Sequence, residues 1–428
     1  CDNDVVAVGV QPAPYDGCDR SCVFEPSCSG GTCATHCGDG LVVSPEACDD
    51  GNVTPGDGCS ATCTVETGFV CNTVVLPAPN TISMPTVLRD FIGSDIAGGH
   101  PDFQPTGATS LTGITTGVLD AQGKPVRAAS NPSPGNGSFP NSVASFAQWY
   151  RDVGGTTNRT VYSSITLTRV GASSTYQFPA PPATSGPGYF PLTGLGFNAT
   201  GSVPFENRRN DNTGTPQNFL FTTEAHYWFE YAGNESLTFI GDDDLWVFVD
   251  GQLCVDLGGQ HAALTAVMNF GNLASLPVAC RSFTVGRVYE MAIFGAERHT
   301  TESNFFLTLG NFVKRQSACT SMCGDGVKAS NEVCDLGTAM NMGGYGQCNA
   351  NCTALGPHCG DGVIQMPQEV CDDGVDNIGG YGHCSPSCMP GGVCGDGVRD
   401  FPNEECDDGV NNGTPGSRCL STCNLSLE

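Results

Sequence analysis

The sequence predicts an all-β protein, a central β-sandwich flanked by small disulfide-rich repeats with little regular secondary structure. Three observations point there. The chain has 428 residues with 57 glycines and 28 prolines, a turn-rich composition that disfavours helical bundles. Its 25 cysteines are uneven: ten between Cys1 and Cys71, then only Cys254 and Cys280, then thirteen between Cys319 and Cys423. Between the cysteine-dense flanks, short runs of alternating apolar and polar residues are separated by Gly, Pro and Asn, the pattern of a sandwich or barrel.

The flanks are internal repeats. A Cys-Gly-Asp-Gly run opens at Cys323 and is followed by Cys334, Cys348 and Cys352. The same order runs through Cys359, Cys371, Cys384 and Cys388, and again through Cys394, Cys406, Cys419 and Cys423. Near the start it runs through Cys37, Cys48, Cys59 and Cys63, with Cys71 closing the unit. Each copy has too few apolar residues to bury a core, so disulfides must supply stability, at roughly 2–4 kcal/mol per bridge. Four cysteines allow three pairings, and spacing does not choose among them. The first residues read as the second half of a further copy, with Cys1 standing where Cys48 stands and Cys18 and Cys22 matching Cys59 and Cys63. Cys1 is then an orphan, open to an interchain bond, a processed end or lipidation. The expected division is 1–36 (partial repeat and linker), 37–79 (repeat), 80–315 (β-domain), and repeats at 316–358, 359–393 and 394–428.

So many cysteines, with only seven histidines not spaced beside them as zinc pairs, imply disulfides in an oxidising compartment: secreted, extracellular or cell-surface. A formal charge of −27 repels phosphate backbones and anionic bilayers, which sets nucleic acid aside and leaves a solvated acidic surface, calcium or a cationic partner. No apolar run reaches the roughly 18 residues of a membrane span, and no basic-then-apolar leader opens the chain. The Asp-Gly aspartates of the repeats (Asp39, Asp49, Asp50, Asp325, Asp361, Asp372, Asp373, Asp396, Asp407 and Asp408) read as tight-turn formers, with calcium ligation as the alternative. Eight Asn-x-Ser/Thr sites, among them Asn136, Asn158, Asn198 and Asn234, matter only in a eukaryotic secretory pathway. No GxSxG elbow, HExxH pair or phosphate-cradling glycine loop occurs, and the chain is expected not to be an enzyme.

Within the central segment the clearest element is SLTFIGDDDLWVFVDGQLCVDLGG. A strand ends at Ile240, an acidic turn follows, and strands at 245–249 and 252–257 flank an Asp250-Gly251 type I′ hairpin turn. Trp246 and Phe248 share one face and Val247 and Val249 the other, so this strand is read as central and buried on both sides. Further strands are expected at 226–231, 289–294 and 304–309. Cys254 and Cys280, the only thiols nearby, are expected to bridge.

Asp242, Asp243 and Asp244 repel one another unless a cation or water intervenes, and calcium takes roughly six to eight hard oxygens, two of which a vicinal diol can supply. A second polar constellation joins Asp256 and His261 in VDLGGQH to Glu297, Arg298 and His299. Gly258 and Gly259 let the backbone pass close to something there. His261 reads as a ligand or, more often in such settings, as part of a network between sheets, and Arg298 as architectural.

The repeats resemble the myxobacterial-type cysteine-rich repeat through CGDG, CDDG and the Cys-x3-Cys pair. The series VLRDF, HPDF, LDAQGKPV, SFAQWYRD, YFPL, NFLFTTEAHYWFEY, TFIGDDDLWVFVDG, VDLGGQH and FGAERHTTESNFFL resembles the fibro-slime domain, in order and without a gap. That family is similar to the anthrax protective-antigen type of β-sandwich, shared by yeast flocculins and other adhesins that grip sugars through calcium. The resemblance implies a secreted bacterial surface protein, structural or adhesive and non-catalytic, self-associating into a fibre or matrix. The alternative is a calcium-dependent lectin for polysaccharide. In the sugar-binding relatives two adjacent aspartates joined by a cis peptide, with an asparagine from another loop, hold the calcium. The matching positions are Asp242, Asp243 and Asp244, with Asn269 or Asn304 as the asparagine.

Overall fold

The computed structural model describes residues 25–426, apart from 27, 30–31, 35, 76–78, 106–108, 180–187, 203–205, 207–208, 301 and 313–314. Cys1, Cys18 and Cys22, and with them the expected half repeat, lie outside the described residues. The chain divides into two compact units: one takes the residues up to Val53, Ala61–Thr64 and Asn72–Ala318, the other Thr54–Ser60, Val65–Cys71 and the residues from Cys319.

Ten strands of the first unit form one antiparallel sheet: β1 Thr81–Asp90, β2 Arg159–Arg169, β3 Thr175–Phe178, β4 Phe221–Glu230, β5 Ser236–Gly241, β6 Asp244–Val249, β7 Gln252–Leu257, β8 Leu264–Asn269, β9 Val288–Glu297 and β10 Phe305–Gly310. Their spatial order is β7-β6-β9-β4-β1-β2-β3-β10-β5-β8. The two end strands, β7 and β8, lie against each other, so the sheet curls until it nearly closes. One face of all ten strands turns inward. Leu237 and Phe239 of β5, Leu245, Val247 and Val249 of β6, and Tyr289, Met291 and Ile293 of β9 pack there with Leu307 and Leu309 of β10. Each large apolar side chain removed from water in this way contributes about 1.5–3 kcal/mol.

The opposite face of β6 and β9 is covered as well. Trp246, Phe248, Ala292, Phe294 and Ala296 lie under a layer built from Phe91, Phe103, Ile114, Phe146, Trp149 and Tyr150. That layer is pinned by a short helix, α1 Val143–Ala147, whose capping box exchanges hydrogen bonds between Ser142 and Ser145. The Tyr150 hydroxyl donates to the Gly295 carbonyl at 3.1 Å. Every residue of β6 is buried, although the strand stands next to an edge and not in the middle of the sheet. The hairpin after it has positive φ at Asp250 (53°) and Gly251 (71°), the combination a type I′ turn requires. Cys254 and Cys280 are disulfide-bonded.

The repeats of the second unit have nested bridges. Cys323–Cys352 encloses Cys334–Cys348, and the pairs Cys359–Cys388 around Cys371–Cys384 and Cys394–Cys423 around Cys406–Cys419 reproduce it. In the first unit Cys37 bonds Cys63, again first to fourth. Cys71 does not close that repeat, as its position suggested; it bonds Cys319, because the strand it lies on leaves the repeat. The aspartate that directly follows the second cysteine of each of these repeats organises the backbone. Asp372 accepts from the amides of Gly360, Gly362 and Gly374 and from Asn377 Nδ2, and Asp407 does the same with Gly395, Gly397, Gly409 and Asn412. Asp335 is held down to about 2: lost solvation works to raise it, and the Gly337 amide, the Asn341 side chain and the amides of Gly324 and Gly326 outweigh that.

Candidate functional site: an acidic turn at the open end of the sheet

Two connections cross the same end of the curled sheet side by side. The turn Asp242–Asp243 leads from β5, near one edge, to β6, near the other, and residues 298–304 lead back from β9, the neighbour of β6, to β10, the neighbour of β5. The register fixes their meeting, since Asp244 stands opposite Ala296 and Gly241 opposite Phe305. Asp243 carries φ +55°, a left-handed conformation that Asp tolerates better than most residues. This lets consecutive carboxylates point in different directions.

The three aspartates therefore do different things. Asp244 is structural: Oδ1 accepts the Gly259 amide at 2.7 Å and Oδ2 meets Arg298 Nε at 2.6 Å. The Arg298 guanidinium is wholly buried, donates to the carbonyls of Asp102 (3.2 Å) and Ser138 (2.9 Å), and lies 4.7 Å from the Trp149 ring. Asp242 receives both the Asn304 amide and Asn304 Nδ2. Asp243 accepts the Arg298 amide at 2.7 Å, and burial, with Asp244 and Asp242 adding to it against Arg298, pushes it up to about 7.

Glu297 completes the cluster. It is 6% exposed, its Oε1 is buried with no hydrogen-bond partner, and burial, then the charges of Asp243 and Asp242, drives its carboxyl well above the usual range. Beside it opens a cleft of about 310 Å³, part of it open to solvent, lined by Asp242, Asp244, Glu297, Ser303 and Asn304 at the polar side and by Tyr189, Phe221, Phe239 and Phe305 at the apolar side.

Of the two asparagines weighed from sequence, the structure brings Asn304 to the aspartates. Asn269 pairs with Ser236 at the far end of β5, roughly 17 Å of strand away, and its side chain caps the Gly271 amide. Asp256 is spent on the Trp246 indole (3.0 Å) and the Gly113 amide (2.7 Å). His261 turns to the carbonyls of Ala262 and Leu257. What Gly258 and Gly259 admit is the 109–111 backbone, which a side chain at either would meet at 2.5 Å. The cis peptide between adjacent aspartates that the sugar-binding resemblance implies is not found, since every cis bond among the described residues precedes a proline. Nor do three carboxylates of the turn converge on one point. Among the described residues, the triads whose ligand atoms lie within 4.8 Å of one another are all in the repeats, and each includes a disulfide sulfur.

Sequence reading placed Glu297 in the wrong group and missed a second buried network. Arg89, Lys124 and His226 surround Glu224, with His226 Nδ1 also 2.6 Å from Glu290. Glu224 and His226 stand two apart on β4, so they share a face, while Arg89 and Lys124 arrive from more than 95 residues away in sequence.

Residues 18–64 match the model of a domain of unknown function (DUF4215). Among curated proteins of Dictyostelium discoideum, psiR is 31% identical over 244 residues (56% of this chain, 23% of psiR) and psiD 33% over 219 residues (49% of this chain, 39% of psiD). PsiQ is 34% identical over 204 residues (47% of this chain, 19% of psiQ). The chain thus spans 39% or less of each relative's length. Among solved structures, the PA14 domain of the MpAFP antifreeze protein aligns at TM-score 0.19 and 10% identity, covering 31% of this chain and 70% of that one. The Epithelial Adhesin 6 A domain from Candida glabrata aligns at TM-score 0.19 and 12% identity, covering 59% and 84%; scores this low carry no argument. The chain is a cysteine-rich, disulfide-bonded β-protein related over about half its length to the psi proteins of Dictyostelium discoideum.

Proposed function

We propose that this chain is a non-catalytic extracellular adhesive module of fibro-slime type, in which stapled repeats carry a β-domain that binds calcium at its acidic turn and, through calcium, a hydroxyl-rich ligand such as a polysaccharide. The observation that carries this reading is the buried, unpartnered Oε1 of Glu297 beside Asp243 and Asp242. An acidic group in that position either keeps a proton or receives a cation. Asp243, Glu297 and Asp242 fit a calcium ion in donor type, while Asp244 is committed to Arg298. With no three-carboxylate cage in place, much of the coordination would fall to water and to vicinal hydroxyls of a ligand. The test is calcium titration of the full chain followed by thermal melting and retention on polysaccharide columns. Calcium should raise the melting temperature and be required for retention, and Asp243→Ala should abolish both. If calcium moves neither quantity, the reading fails.

A second reading, assembly of copies into a fibre or matrix, is favoured by apolar side chains that the repeats leave in solvent at a 35-residue interval. Val375 is 94% and Val410 92% exposed, and Met366 and Phe401 are 75% and 79% exposed. Sedimentation velocity across a concentration series tests it: a monomer at every concentration would exclude it.

A further inference from the structure

The repeats that open at Cys359 and Cys394 each bury a glutamate two residues before their second cysteine, as the repeat that opens at Cys323 buries Glu332. Glu369 is 0% and Glu404 1% exposed. In each, Oε2 accepts a backbone amide of its own repeat, from Gln365 and Asp400 respectively, both at 2.9 Å. In each, Oε1 is buried and accepts no hydrogen bond. Glu332 Oε1 is buried and unpartnered in the same way, so this burial belongs to the repeat itself.

At Glu369 and Glu404 the repeat before brings a tyrosine close. The loop Gly343–Gly346 has the sequence Gly-Gly-Tyr-Gly, and so does Gly379–Gly382. The hydroxyl of Tyr345 lies beside the Glu369 carboxylate and the backbone amide of Cys359, and that of Tyr381 beside Glu404 and the amide of Cys394. The same loops bond to the chain that leads into the next repeat: the Gly346 amide donates to the Pro357 carbonyl and the Gly382 amide to Gly392, each at 2.8 Å. Contact there is so close that a side chain on Gly356 would meet the Gly344 carbonyl at 2.4 Å, and one on Gly391 the Gly380 carbonyl at 1.9 Å. Two junctions, built from different residues, repeat one geometry. In the repeat of Cys37–Cys63, which leads into the β-domain, the tyrosine position three before the third cysteine is Gly56.

We propose that the tyrosine of the Gly-Gly-Tyr-Gly loop is a latch that locks one repeat onto the next, its hydroxyl engaging the buried glutamate of the following repeat, so that Gly-Gly-Tyr-Gly before the third cysteine encodes a rigid junction. The three repeats from Cys323 to Cys423 then act as one spacer and not as beads on a flexible string.

The test uses the oxidised full chain with Tyr345→Phe and Tyr381→Phe, made singly, and reads amide hydrogen exchange. Phenylalanine keeps the ring and removes only the hydroxyl. Tyr345→Phe should speed exchange at Gly346 about tenfold, as loss of one charge-assisted hydrogen bond does, and leave Gly382 unchanged; Tyr381→Phe should do the reverse. Glu369→Gln, which keeps the shape and removes the charge, should also act at Gly346 and not at Gly382. Exchange unchanged at both glycines in both phenylalanine variants overturns the latch, as does an equal rise at both junctions from either single change.

Discussion

Arg298 and Asp244 form an ion pair in which neither side chain reaches solvent, with Nε 2.6 Å from Oδ2. Nη1 and Nη2 of the guanidinium donate to the carbonyls of Asp102 and Ser138, so one side chain ties the acidic turn to the layer that covers β6. Removing one member of such a pair strands the other. Arg298→Met is expected to cost about 3–5 kcal/mol. Arg298→Lys should recover little, because a single ammonium cannot reproduce the fork. Denaturant unfolding of the two variants checks both expectations.

Glu297 makes the opposite prediction. Its carboxylate is buried beside two others and lacks a donor on Oε1, so it costs stability when no cation is bound. Glu297→Gln should leave the melting temperature in chelator the same or higher and reduce the rise that calcium produces. A large loss of stability in chelator would mean that Glu297 is architectural.

The Glu224 network sets a pH window. His226 is pushed up to about 9: burial opposes its charge, and the bonds to Glu224 and Glu290 outweigh it. A histidine raised in the folded state contributes stability that is complete below its ordinary value near 6.5 and is lost as pH rises through about 9. Burial works to raise Glu224, but Lys124, His226 and Arg89 together hold it well below the usual carboxylate range. Its contribution is present above about 4.5 and is lost as pH falls further. Melting temperature should fall on both sides, and His226→Gln should flatten the alkaline limb, by on the order of 3 kcal/mol in stability.

Reduction should separate the two units. The repeats have almost no apolar core apart from their half-cystines, whereas the ten-stranded sheet has an interior of its own. Under mild reductant, amides of residues 323–423 should lose protection first while those of β4, β6 and β9 persist. Simultaneous loss would contradict this division.

The sequence alone determined the all-β class, the repeats and the hairpin, because these are written locally. Period-two alternation sets strands, Asp-Gly sets a type I′ turn, and cysteine spacing recurs whatever the rest does. It located strands at 245–249 and 252–257 to within a residue, yet Thr81–Asp90 and Arg159–Arg169 escaped notice, since their faces are mixed and their partners lie far along the chain. Tertiary structure alone decided which carboxylates are free. Asp242, Asp243 and Asp244 look alike in sequence, and only the crossing of residues 298–304 over the same sheet end gives Asp244 to Arg298, Asp242 to Asn304, and leaves Glu297 beside Asp243. The pairing of Cys71 with Cys319 and the approach of Tyr345 and Tyr381 to the glutamate of the following repeat have the same origin. They are contacts between segments that local pattern describes separately, and folding brings them together.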